Sequence, residues 1–495
     1  MCARSSGVLP RLLAVSFLLL GGCSSLHRSV PDEAASAGGG RTDGYEEGSA
    51  RDAMYTLIRG DRRDAGAAVD EIIEKRDRRF IPVFIELLIA DLLSIVRGVG
   101  LDTHLHALEA LSGRNFGNDW ASWVEWYGST DLTPPPGFTG WKGDLYARID
   151  PRFKEFLTEG ADSTIRVEEI LWGGVRVDGI PALDNPAMIG ADEADYLDPG
   201  EPVFGISLRG DNRAYPLRIL DWHEMVNDTV GGVPVSLAYC TLCGAGVAFD
   251  GRGPDGAVYT FGTSGFLYRS NKLMYDRKTH TLWNQLTGRP VLGDLVGKDL
   301  ALRVLPLVVT TWERWREEHP DTLVLSLDTG FDRRYEPAAP YGDYFSSDET
   351  MFPVWKKSDI LPPKSRVFAL RVGGTAKAYP LDLLLEQGVV NDRVGETPVV
   401  LIAPGGEIHV EGTNIRKGPV VYSAGAEIRA YERREGFFSE MTDRSTLVDA
   451  HGDSWTVTEE ALTGPGGARL DRLPGHLAYW FGWYAFFPHT LVYGK

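Results

Sequence analysis

The sequence predicts an α+β protein: a small all-α N-terminal domain, then a duplicated, β-rich α+β domain whose two copies pack as a pseudo-symmetric pair. Three observations carry this expectation. Between residues 51 and 128, apolar residues recur at helical spacing, as in AAVDEIIEKRD and FIPVFIELLIADLLSIV. Beyond the Pro-rich stretch TDLTPPPGFTGW (130–141), the texture changes to short β-like runs separated by Gly and Asp turns. The run VFGISLRGDNRAYPLRILDWHEMVNDTVGGVPV, from Val203, returns without a gap as VFALRVGGTAKAYPLDLLLEQGVVNDRVGETPV from Val367, a constant 164 residues later.

The chain has 495 residues, more than one core organises. Its 43% hydrophobic content is enough to bury real cores. The formal charge of −18 argues against a nucleic-acid partner, which selects for a basic surface.

The N-terminus reads MCARSSGVLPRLLAVSFLLLGGCSSLH. Arg4 and Arg11 precede an apolar stretch at 12–20, too short to span a bilayer, which ends in Leu-Gly-Gly before Cys23. This resembles a bacterial lipoprotein signal. It implies a signal peptide at 1–22, lipidation of Cys23 and membrane attachment through that residue. Ser24, not Asp, follows the cysteine. The expected location is therefore the cell envelope, on the outer membrane facing the periplasm. Cys2 leaves with the signal and Cys23 is consumed, so Cys240 and Cys243 are the remaining thiols.

Residues 23–50 read as a flexible tether of Ser, Ala, Gly and acid. Residues 51–130 read as a HEAT-like helical domain, with Pro82 in a first turn, Gly113 as a helix stop, and Trp120, Trp123 and Trp126 as a packing stripe. His104 and His106 are two apart, do not share a helix face and read as structural or surface residues. The first repeat is placed at 140–345 and the second at 346–495. The aromatic run HLAYWFGWYAFFPHT near the C-terminus reads as packing within the second repeat, with an interfacial patch as the alternative.

The two copies separate scaffold from function. Tyr215, Pro216, Asn227 and Asp228 recur as Tyr379, Pro380, Asn391 and Asp392, and read as turn and capping residues. Trp283, in a place similar to Trp455, reads as scaffold too. His223 and Glu224 do not recur, their counterparts being Gln387 and Gly388. Cys240 aligns with Pro404, and Cys243 has no cysteine counterpart. His223, Glu224, Cys240 and Cys243 are therefore the functional candidates.

The segment YPLRILDWHEMVNDTVGGVPVSLAYCTLCGAGVAFD, with LMYDRKTHTLWNQLTGRPVLG and LPPKSRVFAL beyond it, resembles the domain-of-unknown-function family 3179 over roughly residues 165–490. The resemblance implies a fold family and an extracytoplasmic setting, not a mechanism. Thr241 stands where that family usually has Pro between the cysteines.

Two thiolates at Cys-x-x-Cys spacing hold one soft ion. Zinc needs two further ligands and iron–sulfur clusters usually need four. Copper is the expected metal, bound by Cys240, Cys243 and His223, for delivery, storage or sensing, with zinc less favoured. Possible accessory residues are Glu224, Met274 (or core packing), His280 (or an exposed turn), and Asp276 with Arg277, as an ion pair or a surface turn. A protein partner for metal or electron exchange is expected. Two alternatives stay open: an extracytoplasmic thiol–disulfide redox protein, and a non-catalytic structural or interaction lipoprotein with a disulfide. The chain has no H-E-x-x-H, no G-x-S-x-G nucleophile elbow and no P-loop, and no catalytic class is assigned.

Overall fold

The computed structural model describes residues 44–495, apart from Arg97 and Glu435, and the chain divides into two compact units between Val177 and Asp178. The expected signal peptide, the lipidation site Cys23 and the tether up to residue 43 lie outside the described residues.

The first unit is helical. Helices run at Glu47–Arg59, Arg62–Glu74, Ile81–Leu92, Leu101–Ser112, Trp120–Gly128 and Phe138–Tyr146, with a single turn at Phe153–Phe156. The first helix begins inside the segment expected as tether, because Ala50, Ala53, Met54 and Leu57 give it a face to bury. Asp61 caps the second helix, accepting from the N–H groups of Arg63 and Asp64. Pro82 occupies the first turn of Ile81–Leu92, and Gly113 ends Leu101–Ser112 in the left-handed conformation, both as expected. His104 is buried with Nδ1 2.8 Å from Asp91 Oδ2, and His106 is exposed. The Pro-rich stretch is a loop between helices and not the end of this unit. Helix Phe138–Tyr146 returns Lys142 and Tyr146 to Glu86 on Ile81–Leu92, at 2.7 and 2.6 Å, in a fully buried network.

In the second unit each copy opens with an antiparallel hairpin, Pro202–Leu208 with Asp211–Pro216 and Arg366–Val372 with Thr375–Pro380. A seven-residue helix follows the proline, Leu217–His223 or Leu381–Gln387. A second hairpin comes next, Met225–Val230 with Val233–Cys240, or Val389–Val394 with Thr397–Ile402. Every boundary but the last recurs 164 residues on.

The likeness also reaches a part the aligned sequences did not display. Val308–Thr311, Trp312–Glu318 and Leu323–Leu325 close the first copy; His476–Tyr479, Trp480–Tyr484 and Leu491–Val492 close the second. In each, the closing strand lies antiparallel to the opening strand, with Val308 opposite Gly205 and His476 opposite Ala369. The final strand runs parallel to the second, with Leu323 opposite Arg213 and Leu491 opposite Lys377. One apolar core runs through both copies, joining Leu220, Leu237 and Trp283 to Val367, Tyr422 and Trp480.

The residues common to both copies make the same hydrogen bonds twice. Tyr215 and Tyr379 donate to Asp228 and Asp392 at 2.7 and 2.8 Å. The amides of Asn227 and Asn391 bond both backbone groups of Phe261 and Phe438. The indoles of Trp283 and Trp455 donate to Asp276 and Asp449, each at 3.0 Å. These residues are scaffold, as expected, but Tyr215 and Asn227 act through cross-strand bonds and not through caps.

The copies diverge after the second hairpin. In the first, a tight turn at 241–244 leads straight into strand Ala245–Asp250. In the second, residues 403–428 carry an extra hairpin, Glu407–Asn414 with Gly418–Ala426.

Candidate functional site

The 241–244 turn places Cys240 at the end of one strand and Cys243 just before the next. Gly244 closes the turn at φ +58°, a conformation that glycine adopts without strain. This is a strand–turn–strand setting, so the cysteines do not sit at a helix N-terminus as a thioredoxin-like dithiol would. Both thiols are free and buried, with 1% and 0% exposure.

A second hairpin, Phe261–Tyr268 with Asn271–Asp276, brings its tip to the thiols. Arg269 and Ser270 form the turn at φ +50° and +61°, positions that usually take Gly or Asn. The Cys243 thiol donates to the Ser270 carbonyl at 3.4 Å, and Asn271 Nδ2 approaches Cys243 Sγ at 3.6 Å. Gln285 fixes the orientation of that amide. Its own Nε2 is spent on the carbonyls of Ala238 and Ala245, so Oε1 must accept from Asn271 Nδ2, at 2.9 Å. Asn271 Oδ1 and the Ser270 hydroxyl are then left buried without a hydrogen-bond partner, although both residues are wholly inaccessible.

Glu224 lies under the turn. Its carboxylate accepts from Thr241 Oγ1 at 2.9 Å and stands 3.3 Å from Lys272 Nζ. Its carbonyl accepts from Tyr239 N at 2.8 Å and Lys272 Nζ at 3.0 Å. The Cys243 side is closed by the C-terminal aromatic run, where Tyr479 N donates to the Cys243 carbonyl at 2.7 Å and Gly482 packs on its sulfur. That run, expected to pack within the second repeat or to form an interfacial patch, also covers the thiols of the first.

The two thiols differ electrostatically. Burial pushes Cys240 up and the Glu224 charge adds to it, but the adjacent Cys243 side chain and the backbone of Lys272 and Cys243 outweigh them, leaving Cys240 below the ordinary thiol value. Burial and the neighbouring Cys240 raise Cys243 well above it.

His223 does not join the thiols in any described contact. Its Nδ1 is 2.8 Å from the Pro181 carbonyl and its Nε2 2.6 Å from Tyr335 OH, so both nitrogens are engaged. Burial lowers its pKa to about 4, so the ring is neutral at pH 7, donating to Pro181 and accepting from Tyr335. The expectation that His223 would be a metal ligand is corrected on this geometry: the helix carrying it ends by turning the ring toward the 329–335 loop.

Among the accessory residues only Glu224 belongs to the site. Met274 is fully buried in the core opposite Trp283, where the second copy has Leu447. Asp276 and Arg277 do not pair with each other. Asp276 accepts from Trp283 and from the turn N–H groups of Lys278 and Thr279, while Arg277 pairs with Asp184. His280 sits in that turn against Tyr275.

Sequence reasoning missed Ser270, Asn271, Lys272 and Gln285. Counting from the paired scaffold residues Asp276/Asp449 and Trp283/Trp455, the last three correspond to Arg444, Ser445 and Val457. They are therefore also peculiar to the first copy, but the shorter second hairpin hides the alignment. Among the described residues, one trio of potential metal donors lies within 4.8 Å, namely Glu318, His319 and Glu459, and it excludes the thiols. Both Glu459 oxygens are already held by Arg429 and Arg472, which makes this a poor cation site.

A family model described as "Protein of unknown function (DUF3179)" matches residues 177–490, more than half of the chain, and the chain belongs to that family. No curated protein and no solved structure matches it.

Proposed function

We propose that this DUF3179 protein is an envelope lipoprotein that binds one soft metal ion, Cu(I), between Cys240 and Cys243, for metal delivery, storage or sensing. The observation that carries this reading is the pair of free, buried thiols at the two ends of one tight turn. Asn271 Nδ2, 3.6 Å from Cys243 Sγ, is a donor of the kind that suits metal-bound sulfur. Cu(I) favours thiolate sulfur, and two sulfurs suffice for it; zinc would require two more ligands. The unpartnered Ser270 hydroxyl and Asn271 oxygen support a site that something else completes, because each costs about 1–3 kcal/mol while unpaired.

The test is an anaerobic titration of reduced protein, residues 24–495, with Cu(I) and separately Zn(II), against a competing chelator. One-to-one Cu(I) binding that is lost in Cys240→Ser and in Cys243→Ser, and kept in His223→Ala, supports the reading. Binding of Zn(II) in preference to Cu(I), or of neither, ends it.

A second reading has its own support. Two free thiols joined by one tight turn are the parts of a dithiol–disulfide couple. Burial of both sulfurs weighs against it, since a disulfide partner must reach Cys240. A reversible dithiol potential in metal-free protein would favour it.

A further inference from the structure

We infer that Glu224 is a positioning residue for the cysteine turn, the side chain that makes this turn a site in the first copy and whose loss leaves only scaffold in the second. The inference rests on reading the thiol pair as the working centre, whatever it binds.

Glu224 ends helix Leu217–His223 at φ +54°, in the left-handed region. Its counterpart Gly388 ends Leu381–Gln387 at φ +69°. Glycine is the unstrained choice for a helix ending of this kind, and a residue with a Cβ is disfavoured there. The first copy therefore carries a strained residue where the second shows that the fold accepts glycine. Strain of this sort persists where a side chain has work to do.

The contacts say what that work is. The carboxylate holds Thr241, the carbonyl holds Tyr239, and these are the residues on either side of Cys240. Lys272 Nζ binds the same carbonyl and faces the same carboxylate. Tyr341 OH approaches Glu224 Oε1 at 3.5 Å. Glu224 thus ties the cysteine turn and the Ser270–Asn271–Lys272 tip to one helix end. In the second copy the backbone bond recurs, Ala403 N donating to the Gly388 carbonyl at 2.8 Å, so the Tyr239 bond belongs to the scaffold; Gly388, Gly405 and Ser445 stand where Glu224, Thr241 and Lys272 do, and the side-chain ties cannot form.

The experiment compares Glu224→Gly and Glu224→Gln with the parent protein. Amide hydrogen exchange is followed in metal-free, reduced protein, and Cu(I) affinity is measured separately. Glu224→Gly relieves the strained φ but leaves Lys272 buried without the carboxylate it faces, so the melting temperature falls. Exchange at 239–244 speeds up by about tenfold or more, while the strand Asp211–Pro216 is unchanged. Glu224→Gln keeps an acceptor for Thr241 and restores slow exchange in the turn. Cu(I) affinity follows the same order. Unchanged exchange at 239–244 in Glu224→Gly would overturn the inference. So would exchange that speeds up equally throughout the second unit, strand Asp211–Pro216 included, the mark of a merely structural residue, or a failure of Glu224→Gln to rescue. Parent protein that binds no Cu(I) would sink the copper reading and leave the exchange result standing.

Discussion

Gly482 packs directly on Cys243. A Cβ added at 482 would stand 2.9 Å from Cys243 Sγ and 3.0 Å from its Cβ. The pseudo-equivalent residue in the first copy, 168 positions earlier, is Arg314, and it lies over Pro404 and Gly405, bonding the Pro404 carbonyl at 3.0 Å. The two ends of the duplicated unit thus have the same framework and different contents. One holds thiols under a glycine. The other holds an ion-pair cluster of Arg314, Glu427, Arg429 and Glu459.

Gly482→Ala is expected to overpack the thiol end. The added methyl cannot be accommodated without moving the cysteine turn, at a cost of about 1–3 kcal/mol. Denaturant unfolding should register that loss, and Cu(I) affinity should fall with it. A variant as stable as the parent, with unaltered affinity, would show that the turn has room to spare.

At the opposite end, Arg429→Met is expected to cost about 3–5 kcal/mol, because it leaves Glu459 and Glu427 buried beside a missing partner. Cu(I) stoichiometry in the folded fraction should not change. Loss of binding in protein shown to be folded would mean that the two ends are coupled.

Asn227→Ala and Asn391→Ala should be similarly damaging, each by about 1–3 kcal/mol, since each removes a paired bridge to a backbone N–H and C=O. Parallel urea titrations of the two variants decide this. A large loss in one and none in the other would contradict a shared scaffold role.

Acid should destabilise the protein between pH 6.5 and 4. Burial lowers the His223 pKa to about 4, with Arg333 also lowering it against the Pro181 hydrogen bond. His476 falls to about 4 through burial and then Arg371. An unfolded histidine titrates near 6.5, so below that value the unfolded chain binds protons that the folded one refuses. Stability is therefore intact above about pH 6.5 and declines as the pH drops toward 4, by up to roughly 3 kcal/mol for each ring. Melting curves from pH 7.5 to 4.5 measure the slope, and His223→Phe should flatten part of it. A flat profile in the parent would refute the buried neutral state.

Much of this organisation was legible in the chain. The 164-residue offset announced two copies, and the residues that recur proved to be those that repeat their hydrogen bonds. The difference between copies pointed to Glu224, Cys240 and Cys243. It also pointed to His223, wrongly as a ligand, because absence from the second copy marks a residue as distinctive without saying where its ring is aimed. Asn271 and Lys272 stayed hidden because their counterparts lie in a hairpin of different length.

The sequence by itself determined the duplication, the helical start, the scaffold residues and the two thiols, because local periodicity and internal repetition are written along one dimension. The tertiary structure decided which distant segments meet. It turned His223 toward Pro181 and Tyr335, and brought the 269–272 tip and the C-terminal Gly482 onto the cysteines. Those meetings depend on how two sheet-bearing copies pack through a common core, and no spacing within the chain encodes the side on which each loop arrives.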